Sequence, residues 1–549
     1  MKADVQVKTV TESSAERYGM VIDLNRCVGC QTCTIACKHA NDTPPGVQWR
    51  RVLDVETGTF PDVERLFLVT GCQHCAEPPC VPVCPSGATR QRADGLVTMD
   101  YDLCIGCASC AVACPYQART IVHDKAWFYG QETAQETAVA HDDRLGVAQK
   151  CTFCVGRVDE AREKGLTPGV DLDVTPACSA SCIAQAISFG DFNDPDSNVS
   201  RQVADNPSFQ MHAELGTDPQ IKYLYEAPAI PGREPLPDDA DDEHMSDPSN
   251  PLVGERQTFW DFRAAMNFVM GGMSAGLAVT AYFAHLWAGL SEQALIAIYG
   301  AAGAAMAIGL FFVFLKIGRK ARFLYVLLRP QSSWMTRETY AVAVFYPALG
   351  AELLWPGAAL HGIAALAAAV FLFCQARILY ASKGIPAWRV SLMPWMLIAT
   401  GLLEGTGVLA AVGLLAPQAG HSAAAIAAAG ILLIAVNAGL WHFYRTMARD
   451  WGIGPLSRRD IRRITPALHL GGHLLPAVLF LGALGLDLGS VGTHLAMAAA
   501  GVAAVIGGAL WKFTVITRAC HQQGFALAKF PQRGSGTRAA PALKPLNAD

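Results

Sequence analysis

Hydrophobic residues in the second half of the chain form eight apolar stretches, each long enough to cross a lipid bilayer as a helix. They run near residues 265–289, 294–315, 339–355, 357–376, 391–415, 422–443, 466–487 and 494–516. Only Trp355 and Pro356 separate the third stretch from the fourth, which predicts a hairpin with a very short turn. Glycine and alanine are frequent and allow close helix packing in lipid. The pattern predicts an all-α transmembrane bundle of about eight helices.

The first half is polar, and its apolar residues fall in short, strand-like segments. The segment VIDLNRC (residues 21–27) reads as a strand that enters a cysteine loop, and VTMDYDLC (residues 97–104) reads the same way. Both continue as Cys-x-Gly-Cys, in which Gly29 and Gly106 suit a tight turn around a cofactor. This internal repeat predicts an α+β ferredoxin-like domain.

Sixteen of the 18 cysteines lie before residue 183, in four closely spaced runs. The first and third runs have the spacing Cys-x2-Cys-x2-Cys-x3-Cys, which is that of bacterial ferredoxins. The second run has spacings of x2, x4 and x3, and the fourth is split into two pairs. Run by run, the candidate metal ligands are Cys27, Cys30, Cys33 and Cys37; Cys72, Cys75, Cys80 and Cys84; Cys104, Cys107, Cys110 and Cys114; Cys151, Cys154, Cys178 and Cys182.

The spacing favours iron–sulfur clusters over the alternatives. A [4Fe–4S] cluster needs four thiolates at tetrahedral corners, and one tight loop can supply three of them. The fourth must come from elsewhere, so the last cysteine of a run is expected to serve another cluster. Zinc sites usually take two CxxC-type pairs and do not need this three-plus-one pattern. The tight grouping also argues against a disulfide framework.

These motifs resemble the four-cluster iron–sulfur subunit of the dimethyl sulfoxide (DMSO) reductase family of molybdenum enzymes. The resemblance covers about residues 18–195 and includes the CTFC of the fourth run and Phe189-Gly190-Asp191. Ile183 departs from the family, which usually has proline after this cysteine.

The resemblance implies four [4Fe–4S] clusters and a separate large catalytic subunit that carries molybdopterin. It also implies which four cysteines bind each cluster: Cys27, Cys30 and Cys33 with Cys182; Cys151, Cys154 and Cys178 with Cys37; Cys72, Cys75 and Cys80 with Cys114; Cys104, Cys107 and Cys110 with Cys84.

Composition divides the chain into four parts. Residues 1–200 are expected to form the cluster domain, 201–260 a linker rich in Pro and Asp, 261–517 the membrane anchor and 518–549 a cytoplasmic tail. The acidic run at 238–243 is expected to be solvated. The first twenty residues show neither an apolar signal core nor a twin-arginine pair, so no export signal is predicted.

Basic residues cluster on one side of the predicted bundle. The loops after spans two, four and six, together with the C-terminal end from Lys512 onward, hold 21 Lys and Arg, and the odd-numbered loops hold none. With an even number of spans, the cysteine-rich domain lies on this positive side. The positive-inside rule then predicts that the domain faces the cytoplasm from a multi-pass position in the inner membrane.

Two stretches of the membrane half resemble the membrane anchor of DMSO reductase-type complexes: RPQSSWMTRE at 329–338, and WKFT at 511–514 leading into QQGF at 522–525. In that family the acid at the position of Glu338 is associated with quinol binding, and a quinone site needs such a titratable group. Lys316 stands where the family has a histidine and is a candidate partner of Glu338. The alternatives are an ordinary interfacial acid and a lysine that extends to the interface.

Glu404 lies near the middle of span five, where a carboxylate is costly and suggests a function. It is a candidate proton relay or quinone-cavity residue; the alternative is a protonated acid bonded to neighbouring helices. His469 and His473 lie on one helix face and cannot be the two opposed axial ligands of one haem. Since the resembled anchor is also haem-free, no haem is expected.

Together these features indicate an electron-transfer and membrane-anchor component that links a molybdopterin catalytic subunit to quinone in the lipid bilayer. The net charge of −4 implies no polyanionic partner such as nucleic acid. A cytoplasm-facing complex with this division resembles the membrane-bound sulfite dehydrogenase of sulfur-oxidising bacteria, which predicts sulfite oxidation coupled to quinone reduction. The alternatives are a quinol-oxidising anchor of a DMSO or polysulfide reductase, a proton-translocating module and a passive anchor without a quinone site.

Overall fold

A computed structural model of the protein describes residues 16–59, 62–225, 246–415 and 423–525. Ten strands are present in the described part of the first half: β1 Tyr18–Asp23, β2 Arg50–Thr59, β3 Asp62–Gly71, β4 Thr89–Gln91, β5 Val97–Met99, β6 Thr120–Ile121, β7 Ala148–Gln149, β8 Ile187–Asp191, β9 Ser208–Phe209 and β10 Ile221–Leu224. Six short helices accompany them: α1 Thr32–Ala40, α2 Ser109–Val112, α3 Ala134–Ala138, α4 Val155–Lys164, α5 Ala177–Ala180 and α6 Asn198–Asp205.

The central sheet has the strand order β8-β1-β10-β9. Strand β1 pairs antiparallel with β8 and parallel with β10. Every residue of β1 is buried, as its continuous apolar run requires. Because β10 belongs to this sheet, the first domain continues past the predicted boundary at residue 200 and into the range predicted to be a linker. The acidic run at 238–243 lies outside the described residues.

The second half is helical. Its helices are α7 Phe262–Trp287, α8 Glu292–Lys316, α9 Trp334–Leu354, α10 Ala358–Tyr380, α11 Met393–Leu415, α12 Ala423–Thr446, α13 Pro455–Ala467, α14 Leu475–Gly485 and α15 Gly489–Thr517. A π-helical turn, Leu468–Leu474, joins α13 to α14, so the two form one long segment, Pro455–Gly485. The predicted fold class, an α+β domain followed by an all-α region, is confirmed.

Seven helical segments within the described residues are long and apolar enough to cross a membrane, one fewer than the sequence pattern predicts. The remaining one is α9, which is 21 residues long and carries Arg337, Glu338 and Glu352. Only three residues separate its end at Leu354 from the start of α10, and it packs antiparallel to α10 as the predicted hairpin. At about 1.5 Å per residue, its length is close to 30 Å.

Small residues form the contacts at the centre of the bundle. A Cβ atom on Gly276 of α7 would overlap the Gly401 carbonyl of α11, and one on Gly407 of α11 would overlap Gly501 of α15. Such contacts let the helix backbones approach closely where apolar burial alone gives no driving force in lipid. The three helices α7, α11 and α15 therefore form the core of the membrane half.

Candidate functional site

The two cysteine loops that follow β1 and β5 have the same local structure. The carboxylate of Asp23 accepts hydrogen bonds from the amides two and three residues later, at 2.9 and 3.2 Å. Asp100 does the same after β5, at 3.0 Å to each amide. Gly29 and Gly106 then have φ of 70° and 72°, a left-handed conformation that favours glycine. The structure thus shows one strand-and-loop unit used twice.

The structure brings the sixteen clustered cysteines together as four sets of four. Set 1 is Cys27, Cys30, Cys33 and Cys182; set 2 is Cys37, Cys151, Cys154 and Cys178; set 3 is Cys72, Cys75, Cys80 and Cys114; set 4 is Cys84, Cys104, Cys107 and Cys110. All four thiols of set 1 line one cavity. In set 2, the Asn41 amide lies 3.7 Å from the Cys37 sulfur and 3.8 Å from the Cys154 sulfur.

Seven of the eight thiols in sets 3 and 4 are buried, and that of Cys107 is half-buried. Burial raises the pKa of Cys75, and the thiols of its own set raise it further. Burial likewise raises the pKa of Cys104 to about 11, with Cys107 and Cys84 adding to the shift. Among the described residues, no three His, Cys, Asp or Glu side chains are arranged to hold a single metal ion. The fit of these sets to [4Fe–4S] clusters therefore rests on the number and type of donors and on the charges around them.

The four sets lie in a row. The thiol of Cys33 in set 1 is close enough to Cys178 in set 2 for their charges to interact, and Cys151 in set 2 similarly faces Cys72 in set 3. The guanidinium of Arg119 faces thiols of both set 3 and set 4. Cys30 of set 1 is exposed at one end of the row.

His74 and Lys150 lie between sets 2 and 3. The His74 ring stacks on Phe153 with the ring centres 3.7 Å apart, and its Nδ1 accepts a hydrogen bond from the Val97 amide at 3.0 Å. Its Nε2 therefore carries the proton and donates to the Cys151 carbonyl at 3.1 Å. Burial and the charge of Lys150 hold the pKa of His74 well below its usual value, so the ring is neutral. The fully buried Lys150 ammonium also donates to the Cys151 carbonyl, at 2.6 Å.

Two arginines are buried among these sets without a carboxylate partner in the described part of the chain. Arg50 has no exposed surface and Arg119 is 4% exposed. The Nε of Arg50 and one terminal nitrogen of Arg119 also lack a hydrogen-bond partner there. Buried cations are costly unless anions balance them. The thiolates of iron–sulfur clusters would supply that charge, so the residues present fit such clusters.

Set 4 contacts the membrane half directly. Both the Lys316 ammonium of α8 and the Trp260 indole donate hydrogen bonds to the Cys107 carbonyl, at 3.0 and 3.2 Å. The ammonium also lies 4.9 Å from the centre of the Trp260 ring. Immediately after α8, the amide of Arg319 bonds to the Ile105 carbonyl at 3.1 Å. The end of α8 is thus fixed to the loop that carries set 4.

A small pocket lies at this junction, with a cavity volume of about 40 Å³. Cys107, Trp260 and Lys316 line it on one side, and Asn267 and Glu338 line it from the helices. The side chain of Glu338 is buried, and its Oε1 has no hydrogen-bond partner among the described residues. The side-chain Oδ1 of Asn267 likewise has no hydrogen-bond partner among the described residues. Lys316 and Glu338 share this pocket, but Lys316 is bonded to Cys107 and no ion pair joins it to Glu338.

Glu404 is not in this pocket. It forms an ion pair with Lys512 of α15 at 2.6 Å, and neither side chain has exposed surface. Lys512 also donates to the Phe268 carbonyl at 3.2 Å. Lys512 therefore belongs to the bundle core and not to the basic C-terminal end with which the sequence pattern groups it. The remaining tail residues after 525 lie outside the described part.

The two histidines considered for haem are adjacent in the π-helical turn. The Nδ1 atoms of His469 and His473 lie 3.2 Å apart. Both rings therefore project from the same side of one segment.

The sequence alone does not identify four residues that are important in this region: Arg50, Arg119, Trp260 and Lys512. The two arginines look like ordinary strand and loop cations, and Trp260 like an interfacial aromatic residue. Only contacts with residues that are distant in sequence reveal them, such as the Trp260–Cys107 bond across 153 positions. Lys512 offered a signal, because a lysine inside an apolar stretch needs a partner.

Comparison with known proteins identifies the cysteine-rich half. Residues 63–129 match the family model of a 4Fe–4S dicluster domain. The chain is 40% identical to a selenate reductase subunit of Mesobacillus selenatarsenatis over 240 residues, which is 41% of this chain and 77% of that protein. It is 38% identical to a sulfite dehydrogenase subunit of Allochromatium vinosum over 224 residues, 38% of this chain and 82% of that protein.

A third relative is the iron–sulfur cluster-binding subunit of a menaquinone reductase from Nitratidesulfovibrio vulgaris. The identity is 37% over 226 residues, which cover 38% of this chain and 88% of that protein. Each match covers about two fifths of the present chain or less.

Proposed function

This chain belongs to the family of iron–sulfur subunits of molybdoenzyme oxidoreductase complexes, and we propose that it passes electrons between a catalytic partner subunit and quinone in the membrane. Sets 1 to 4 would each hold one [4Fe–4S] cluster through four cysteines. Such clusters supply one-electron transfer and no substrate site. The protein's own part is to hold them in a row and to join that row to the membrane half.

The exposed end of the row fits contact with the catalytic partner. Cys30 of set 1 is exposed, and three exposed apolar side chains lie close to the cysteines of this set along the chain, at 55%, 63% and 72% exposure: Val28, Ile35 in α1, and Ile183. A cluster at set 1 would be reached there from a partner's surface. A molybdopterin cofactor on that partner, as the resemblance implies, would therefore exchange electrons with set 1 first.

The single observation that carries the quinone site is the pocket shared by Cys107 and Glu338. Electrons leaving set 4 need an acceptor close to its ligands, and Cys107 lines the pocket. A quinone also takes up protons, which requires a group able to donate and accept them. Glu338 is buried there, and its Oε1 has no hydrogen-bond partner in the described part of the chain; the Asn267 Oδ1 offers a second acceptor for a quinol hydroxyl. An apolar pocket with few polar groups is typical of a small-molecule site.

Glu338→Gln tests this site. The chain, purified anaerobically and placed in lipid vesicles that contain quinone, is reduced with dithionite, and cluster reoxidation is followed by absorbance. Because an amide cannot deliver the proton, reoxidation should slow by about 100-fold or more, while the clusters remain reducible. The matched control is Glu352→Gln on the same helix, which lies outside the pocket and should react like the unmodified chain. Equal rates in both variants would exclude Glu338 from quinone chemistry.

The substrate proposed for the complete complex is sulfite, oxidised on the catalytic partner with quinone as the acceptor. One relative of similar identity is a sulfite dehydrogenase subunit. The basic side of the bundle would place the cluster domain in the cytoplasm, where sulfite produced inside the cell is accessible. The runner-up, quinol oxidation by a reductase, is favoured by the selenate reductase relative. The purified complex assayed with sulfite and quinone should reduce the quinone; quinol oxidation by another acceptor, with sulfite ignored, favours the runner-up.

A further inference from the structure

Arg50 begins strand β2 and is buried at the boundary between sets 1 and 2. Its neighbouring thiols come from both sets: Cys178, Cys151, Cys33 and Cys37. One terminal nitrogen donates to the Met20 sulfur at 3.1 Å, and the Thr70 carbonyl lies at 3.5 Å from the other. An arginine guanidinium is charged at any physiological pH.

Arg119 has the equivalent position at the other end of the row, between sets 3 and 4. Its neighbouring thiols are Cys110 from set 4 and three from set 3: Cys80, Cys72 and Cys114. One terminal nitrogen donates to the Thr89 hydroxyl at 3.1 Å and to the Met99 sulfur at 3.0 Å. The other has no hydrogen-bond partner in the described part of the chain. As at Arg50, which also forms a hydrogen bond with the Cys178 thiol, no carboxylate forms an ion pair with Arg119 in the described part of the chain.

We propose that Arg50 and Arg119 are positioning cations that each raise the reduction potentials of the two clusters beside them, Arg50 for sets 1 and 2 and Arg119 for sets 3 and 4. The inference rests on the proposed function, because it requires clusters at these sets. Each guanidinium faces thiols of two sets at once, so its charge acts on both neighbours. A side chain neutralised by a nearby carboxylate would have little effect on either.

The direction of the change in reduction potential follows from charge alone. Adding an electron to a site makes it more negative, and a fixed buried cation stabilises that state more than the oxidised one. Inside a protein the effect of one charge is weakly screened and extends over several ångströms. Removing either cation should lower the equilibrium constant for reduction at both adjacent sets by roughly tenfold. For a one-electron couple, tenfold corresponds to about 59 mV.

The test is EPR-monitored redox titration of the full chain with its clusters. Replacing one cysteine of each set by serine assigns the signals to the sets. Arg119→Gln should lower the reduction potentials of sets 3 and 4 by about 59 mV, while the equilibrium constants for reduction at sets 1 and 2 change less than threefold. Arg50→Gln should lower the potentials of sets 1 and 2 by the same amount and leave sets 3 and 4 within threefold. Arg201→Gln is the control: Arg201 is exposed in α6 and pairs with Asp196, and its loss removes the same net charge without affecting any potential.

Iron content shows whether a negative result contradicts the proposed function or only the role of the two arginines. Fewer than four clusters in the unmodified chain would overturn the proposed function. Four clusters with unshifted potentials in both glutamine variants, or a shift at only one set of a pair, would overturn the role of the arginines alone.

If a glutamine variant loses iron, the lysine variants Arg119→Lys and Arg50→Lys show whether the charge or the shape of the guanidinium matters. Full iron content with potentials close to those of the unmodified chain supports a role for charge. Iron loss in the lysine variants as well would show that the guanidinium acts through its shape, which overturns the proposal.

Discussion

Lys512 and Glu404 form an ion pair at 2.6 Å inside the helix bundle, and neither side chain has any exposed surface. The pair joins α15 to α11, two of the three helices that form the core of the membrane half. A single buried charge in this environment has no water to stabilise it. Each partner therefore makes the burial of the other possible.

Removing one partner of this pair should strongly destabilise the bundle. We expect Lys512→Met to lower the free energy of unfolding in detergent by about 3–5 kcal/mol, because the Glu404 carboxylate is left buried and unpaired. The double variant Glu404→Leu with Lys512→Met should recover most of that loss, since no charge then remains. Thermal or denaturant unfolding of the unmodified chain, both single variants and the double variant completes a double-mutant cycle for this pair.

The control for that cycle is Lys164→Met, which removes a lysine from the solvent-exposed pair with Glu160 in α4. Exposed ion pairs contribute little, so no measurable change is expected. If Lys512→Met is as stable as the unmodified protein, Glu404 is not held by this pair in the membrane.

Iron and acid-labile sulfide should each reach about sixteen atoms per chain in anaerobically purified protein. Sixteen thiols in four sets of four correspond to four cubanes, each with four iron atoms. Chemical assay of both elements measures this directly. A value near eight, or stoichiometric zinc, would contradict the assignment of four clusters.

The sequence predicts the cluster domain well because its chemistry is local. Cys27, Cys30 and Cys33 lie within seven consecutive residues, from the loop after β1 to the first turn of α1. The carboxylates of Asp23 and Asp100 close the same turn from the adjacent strand end. Neighbours along the chain determine such features. The pairing of Cys182 with the first run came from the family resemblance, since spacing alone cannot select a fourth ligand.

The junction with the membrane could not be predicted in the same way. Lys316 was a candidate partner of Glu338, but it bonds to Cys107, 209 positions earlier in the chain. Likewise, the burial of Lys512 depends on Glu404, 108 positions away. Long-range contacts of this kind follow from the packed fold, and neither hydropathy nor spacing records them.

The cluster domain should be digested by protease only from the cytoplasmic side of oriented membrane vesicles. Setting Lys512 aside, the sequence pattern still predicts twenty basic residues on one side of the bundle and none in the odd-numbered loops. This expectation requires α9 to cross the membrane together with α10, which their antiparallel hairpin favours. Cleavage of the domain from the periplasmic side would reverse the orientation and remove the support for an intracellular substrate.

Gly318→Ala should loosen the contact between the cluster domain and the membrane half. Gly318 follows α8, and a Cβ atom there would overlap the Gly146 carbonyl oxygen. Gly146 in turn packs against Gly106 in the loop of set 4, so no flexible side chain can move aside. Backbone overlap of this kind costs about 1–3 kcal/mol. We therefore expect faster hydrogen exchange at the Arg319 amide, which bonds to Ile105, and slower quinone reduction from reduced clusters.

Gly300→Ala is the matched control for this substitution, because Gly300 lies in α8 and its added Cβ would meet no atom within 4 Å. Alanine is the better helix former, so stability should stay equal or rise slightly. Exchange at Arg319 and the rate of quinone reduction should not change. If Gly318→Ala matches this control in both measurements, the glycine contact does not fix set 4 to the membrane half. Slower quinone reduction with unchanged exchange would instead place the effect of Gly318 in the pocket beside Lys316.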